Sequence, residues 1–209
     1  MRKDSDKKFH LILLAITLGF FIWSAINPED YFTWVLEVFP AIIGFFVLLF
    51  TYRKFRLSNL SYVLITIHAI VLMIGGHYTY AKVPFFSWLK DIGLFSRNNY
   101  DKVGHLMQGF VPAIIAREIL LRKSPLKRGK WLGFIVITIC LAISALYEIL
   151  EWLVSSASGS AGDAFLGTQG YIFDTQSDML FALIGSVAAL LILSRLHDKS
   201  MSHIKKSAN

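Results

Sequence analysis

Six long apolar runs decide what this chain can fold into. They cover roughly residues 9–26, 34–52, 60–80, 103–121, 131–154 and 177–195. Each approaches the roughly 20 residues that a helix needs to cross about 30 Å of hydrocarbon. A backbone inside lipid must satisfy its own hydrogen bonds, and for runs of this length the helix is the element that does so. The expectation is an all-α, polytopic transmembrane helix bundle with six spans, N-in/C-in, forming one integral membrane domain over 1–209. The fourth run is the least apolar. Composition agrees, because 55% of the residues are hydrophobic and 17% charged, where soluble domains carry roughly 25% charged residues. The stretch 84–95 is too short to cross, and its Phe85, Phe86, Trp88 and Phe95 suit an aromatic segment lying in the interface.

Charge placement excludes one class of function and gives an orientation. The net charge of +7 would suit nucleic acid, but the basic residues cluster in short segments between apolar runs rather than along one stripe. With the N-terminus inside, 17 of the 21 basic residues lie on the inner side, and only Lys82, Lys90, Arg97 and Lys102 lie outside. By the same alternation 10 of the 14 acids fall at the outer side. The positive-inside rule therefore places both termini in the cytoplasm. The first run follows Arg2, Lys3, Lys7 and Lys8 with no small-residue cleavage site after it, which reads as an uncleaved signal anchor. The single cysteine, Cys140, leaves no disulfide framework or cysteine metal site within one chain.

Polar residues inside spans cost at least about 2.5 kcal/mol each when charged, so their positions carry information. Asp101, His105 and Gln108 are spaced by four and three residues and share one helix face, which Pro112 continues. Glu148 and Glu151 sit one turn apart at the outer end of the fifth span, with Ser144 and Ser155 extending the stripe. Asp174 and Asp178 are one turn apart where the sixth span begins, and Gly75, Gly76 and His77 close the third span at the same level. A carboxylate and imidazole mixture suits a divalent metal or general acid–base work. The candidate catalytic residues are His105, as base or ligand, Asp101, which orients it, and Glu148. Candidate substrate-binding residues are Lys102, Gln108, Gln169 and His77, and candidate metal ligands are Glu151, Asp174 and Asp178. The bland alternative is that helix-end acids face water and headgroups or complement helix dipoles, and that Lys102 snorkels to phosphates.

Weaker features complete the reading. His68 is alone near mid-span, where a hydrogen bond to a neighbouring helix is the ordinary role. Residues 159–170 form a glycine-rich outer segment without a P-loop ending, read as a re-entrant or lid-like loop over the polar cluster. Gly185, with Ala182, Ser186 and Ala189, offers small-residue packing. Arg117 and Glu118 read as interfacial charges beside the basic loop.

These residues also carry a resemblance. Over nearly its whole length the chain resembles the YjdF-type bacterial inner-membrane proteins, a family of unknown function. The most specific parts are Tyr100 to Arg122, with Gln108-Gly109-Phe110-Val111-Pro112-Ala113, and Asp163 to Asp178, with Phe165-Leu166-Gly167-Thr168-Gln169-Gly170. The later half is more distantly similar to VanZ-like membrane proteins, through Asp101-Lys102-x-x-His105, a helix glutamate at Glu148 or Glu151, and the pair Asp174 and Asp178. Ala182 stands where that pattern has asparagine. The resemblance implies a multi-pass protein of the bacterial cytoplasmic (inner) membrane with a shared polar site, and leaves the chemistry open.

The function expected from these residues is a polar Asp/His/Glu pocket at the outer leaflet face, acting on a lipid or envelope-precursor headgroup with or without a divalent metal. The alternatives are a non-catalytic binding or scaffold protein and a small-solute transporter. Transport ranks last because His68 is nearly alone at midplane depth, where transporters place their polar groups.

Overall fold

A computed structural model describes residues 2–158 and 169–208, with side chains over 6–158 and 169–204. Among the described residues there are seven helices: α1 (Arg2–Ala25), α2 (Tyr31–Thr51), α3 (Asn59–His77), α4 (Pro84–Asp91), α5 (Tyr100–Lys123), α6 (Lys130–Ser158) and α7 (Asp174–Ala208). Five are long and apolar enough to cross a membrane: Asp6–Ala25, Tyr31–Thr51, Asn59–His77, Lys130–Ser158 and Asp174–Ile204. The chain is therefore an all-α, polytopic helical membrane protein. The helix of the fourth run, α5, is absent from that set because Asp101, Lys102, Arg117, Glu118, Arg122 and Lys123 lower its hydropathy.

The packing explains how α5 tolerates those charges. It is the central helix, laid most extensively along α7 and also against α3 and α6, while α1 and α2 join the bundle chiefly through α3. Apolar side chains such as Leu11, Ile22, Val47, Phe50, Trp152 and Leu191 point outward from α1, α2, α6 and α7. A helix enclosed by its neighbours does not have to be apolar towards lipid. The α5–α7 seam is backbone against backbone: a Cβ on Gly109 would sit 1.8 Å from the Ala182 carbonyl oxygen, and one on Gly185 2.1 Å from that of Leu106. Ala182, Ser186 and Ala189 are fully buried beside it. Small residues that let two helix backbones touch are a recognised means of helix association in membranes.

Local signals set the helix ends. Asp30 caps α2 by accepting the Thr33 backbone N–H at 2.6 Å, a bond that holds its carboxyl below the usual carboxylate range. Ser58 caps α3 in the same way. α3 stops at His77 rather than running to 80, because Thr79 and Tyr80 take left-handed backbone conformations. That turn folds the Tyr80 ring back over α3 and α5, where a Cβ on Gly75 would lie 2.0 Å from it and one on Gly104 2.8 Å. Pro84 opens α4 at the position where its missing N–H costs nothing. α4 presents Phe85 and Trp88 outward, as expected of an interfacial aromatic helix. α7, at 35 residues, is longer than the roughly 20 a bilayer requires.

Arg117 and Glu118, read from sequence as interfacial charges beside the basic loop, are buried in the bundle. Glu118 is fully buried and Arg117 nearly so. Glu118 accepts from the Ser58 backbone N–H at 2.8 Å, Ser61 Oγ at 2.7 Å, Arg122 at 2.5 Å and His197 Nε2 at 3.1 Å. Arg117 donates to His197 Nδ1 at 3.0 Å and pairs with Asp198 at 2.8 Å. Arginine only donates, so Nδ1 accepts and the His197 proton lies on Nε2, towards Glu118. The network ties α3, α5 and α7 together. Leu64, Val111, Ile114, Val136 and Ala189 form an apolar core between this network and the polar residues at the start of α5.

Candidate functional site

The start of α5 is held in place before any site chemistry begins. Asn98, almost fully buried, donates through Nδ2 to Val83 O and Ser87 Oγ, both at 3.0 Å, and accepts the Tyr100 N–H at 3.1 Å. This fixes α4 to the first turn of α5. Gln169 then bonds both sides of the Asn98 backbone, accepting from its N–H at 3.2 Å and donating to its carbonyl at 2.7 Å. The connection into α7 is thereby fastened to the same corner.

Two cations and three carboxylates come together there. Lys102 Nζ lies 2.8 Å from Asp174 Oδ1, 2.6 Å from Asp178 Oδ1 and 3.2 Å from Asp101 Oδ2. Arg97 pairs with Asp101 and reaches Asp174 at 2.8 Å. All five side chains are nearly buried, so Lys102 does not snorkel to headgroups. The first-turn acids of α5 and α7 thus serve as internal partners across the seam.

His105, one turn further along α5, faces a second set. Its Nδ1 is 3.2 Å from Gln108 Oε1 and 3.7 Å from Glu148 Oε1, and its Nε2 is 3.7 Å from Asp178 Oδ1. Asp101 is engaged by Arg97 and Lys102, so the group positioned to orient His105 is Gln108. Glu148 and Glu151 come from α6 and are buried. Next to them is a cavity of about 220 Å³, lined among others by Glu37, His68, Tyr80, Asp101, His105, Gln108, Tyr147, Glu151, Asp174 and Asp178. Tyr147 Oη donates to Glu37 Oε2 at 3.5 Å.

Eight of the sequence-derived site residues are therefore neighbours: Asp101, Lys102, His105, Gln108, Glu148, Glu151, Asp174 and Asp178. Gln169 lies at the edge, occupied with the Asn98 backbone. His77 is elsewhere, with Nδ1 3.1 Å from Ser24 O and its ring against Trp23. Residues 159–168, most of the glycine-rich segment, lie outside the described residues. Four contributors were not among the candidate site residues read from sequence. Glu37 was legible as the sole charge in α2. His68 lines the cavity, and its Nε2 has no hydrogen-bond partner, contrary to the interhelical bond expected of it. Tyr147 adjoins Glu148, and Arg97 stands four residues before Asp101, an i,i+4 signal that the sequence offered.

Ligand-type atoms of His105, Glu148 and Asp178 lie within 4.8 Å of one another, as do those of Asp101, Asp174 and Asp178. Glu151 belongs to neither group. The pocket and its immediate surroundings set six carboxyl groups, counting Glu37, against the two cations. Such an arrangement admits protons or a cation and is suited to moving a proton.

The comparisons with known proteins agree with this architecture. A family model described as a predicted membrane protein, DUF2238, matches residues 9–199. The chain belongs to that family. It is 48% identical over 189 residues to the inner membrane protein YjdF of Escherichia coli (strain K12), covering 90% of each chain. No solved structure matches it. The chain is accordingly a multi-pass protein of the inner membrane, embedded in the lipid bilayer, from a family whose description assigns location and no chemistry.

Proposed function

We propose that the pocket is a working site at the outer leaflet, acting by acid–base chemistry on the headgroup of a lipid or envelope precursor. In this reading α5 is a sixth span sheathed by its neighbours, and both termini are cytoplasmic. The concentration of basic residues at the opposite ends of the helices supports that orientation. His105 acts as base, held by Gln108, and Glu148 supplies the acid. The Arg97–Lys102–aspartate network fixes the outer ends of α5 and α7 around them.

The observation that carries this reading is unsatisfied polarity in and beside the pocket. Side chains that serve only to join helices are usually hydrogen-bonded. Here Glu148 Oε1, Ser144 Oγ and His68 Nε2 are buried without a partner. The scaffold alternative draws its support from the fully engaged Lys102 network. The transporter alternative is weakened by the apolar core between the pocket and the Glu118 network.

The test is mass-spectrometric profiling of envelope lipids and precursors from cells lacking the chain, complemented with wild type, His105→Ala or Glu148→Gln. At equal protein abundance, both variants should reproduce the profile of cells lacking the chain. A wild-type profile from both would remove the proposal.

A further inference from the structure

We infer that His105, Glu148 and Asp178 form a binding site for one divalent first-row transition cation, of the Mn²⁺ or Zn²⁺ kind. The inference rests on the pocket being a working site and names the cofactor that site would take; with the cation bound, His105 is a ligand and not the base. Two clusters have ligand-type spacing, and the Lys102 ammonium decides between them. It already sits among Asp101, Asp174 and Asp178, filling the place a metal would take. No side-chain cation occupies the corresponding place in the His105 cluster among the described residues.

Three features of that cluster point to a cation. Glu148 is 7% exposed, its Oε1 is unpartnered, and its carboxylate lies within 4.8 Å of ligand-type atoms of His105 and Asp178. Gln108 Oε1 accepts a hydrogen bond, so the imidazole proton belongs on Nδ1 and the Nε2 lone pair is left towards Asp178 at 3.7 Å. Asp178 Oδ1 is held by the Lys102 ammonium at 2.6 Å, and the Nε2 lone pair beside it is left for a cation to take. An imidazole whose second nitrogen is held by a neighbouring side chain is also the usual form of a metal-ligating histidine. One nitrogen and two carboxylate donors favour Mn²⁺, Fe²⁺ or Zn²⁺ over the all-oxygen preference of Ca²⁺ and Mg²⁺. Asp178, shared between Lys102 and this cluster, would tie the metal to the α5–α7 seam.

The test uses the full chain purified in mild detergent. Metal content is measured by inductively coupled plasma mass spectrometry, and the chelated protein is titrated with Mn²⁺ alone, followed by electron paramagnetic resonance. Wild type should hold close to one equivalent. Both His105→Ala and Glu148→Gln should weaken Mn²⁺ binding by at least tenfold, while Gly133→Ala, remote from the pocket, should bind as wild type. Gel filtration confirms that each variant is folded. Absence of metal and of Mn²⁺ binding in folded wild type would overturn the inference, as would unchanged affinity in both variants. Failure here, with the lipid profile still lost in the same variants, would leave the acid–base reading intact. Metal binding alongside a wild-type lipid profile in both variants would remove the working-site reading instead.

Discussion

Lys102→Ala is expected to leave little folded protein in the membrane. The Lys102 ammonium touches three carboxylates on two helices and is 8% exposed. Its removal leaves Asp101, Asp174 and Asp178 close together with Arg97 as the remaining partner of the first two. Breaking a buried ion pair by removing one member costs about 3–5 kcal/mol, because the other charge stays buried without compensation. That is a large share of the roughly 5–15 kcal/mol that holds a typical protein folded. Thermal unfolding in detergent and steady-state abundance both report the loss. Adding Asp178→Asn to Lys102→Ala should recover part of it, since the two side chains interact directly and their effects should not add. Stability equal to wild type in the single variant would mean that the network is solvated rather than buried.

Gly109→Val should be comparably damaging for a different reason. The added Cβ alone would overlap the Ala182 backbone oxygen, and neither helix can yield without opening the seam along its length. Overpacking a tight core typically costs about 1–3 kcal/mol, occasionally more; a backbone obstacle belongs at or above the upper end. Gly185→Ala meets the Leu106 carbonyl in the same way and should be destabilised as well. Gly133→Ala is the control. Its nearest neighbour would be a Leu190 methyl at 3.9 Å, and alanine is the better helix former by about 1 kcal/mol, so it should be neutral or mildly stabilising. Detergent melting curves on the three variants test the ordering. Because Asp101 and His105 reach Asp174 and Asp178 across this seam, opening it should also dismantle the pocket.

Much of this was legible in the sequence because membranes impose simple rules. Hydropathy located the five helices that are long and apolar enough to cross a membrane, and helical spacing put Asp101 with His105, Glu148 with Glu151 and Asp174 with Asp178 on shared faces. What spacing could not reveal was pairing between elements distant in the chain. Lys102 looked like a residue that reaches for phosphate, and its capture by aspartates from α7 follows only from the α5–α7 seam. Gly109, which makes that seam possible, was noted in sequence merely as part of a motif. Glu118 and His197 are 79 residues apart, and nothing local announces that one completes the other. α5 shows the limit of hydropathy itself, since a helix wrapped by other helices answers to their side chains and not to lipid. His77 shows the opposite error, a polar residue at the right depth that faces α1 instead of the cavity.

In the proposed function, the pocket's excess of acids over cations serves chemistry and is not there to join helices. The melting temperature of Glu148→Gln, measured beside wild type with a chelator present, tests this most directly. Glutamine keeps the shape and removes a carboxyl from a crowded, incompletely hydrogen-bonded site. The expected result is a melting temperature equal to or above that of wild type. A fall of several degrees, approaching that of Lys102→Ala, would identify Glu148 as structural cement and contradict the account.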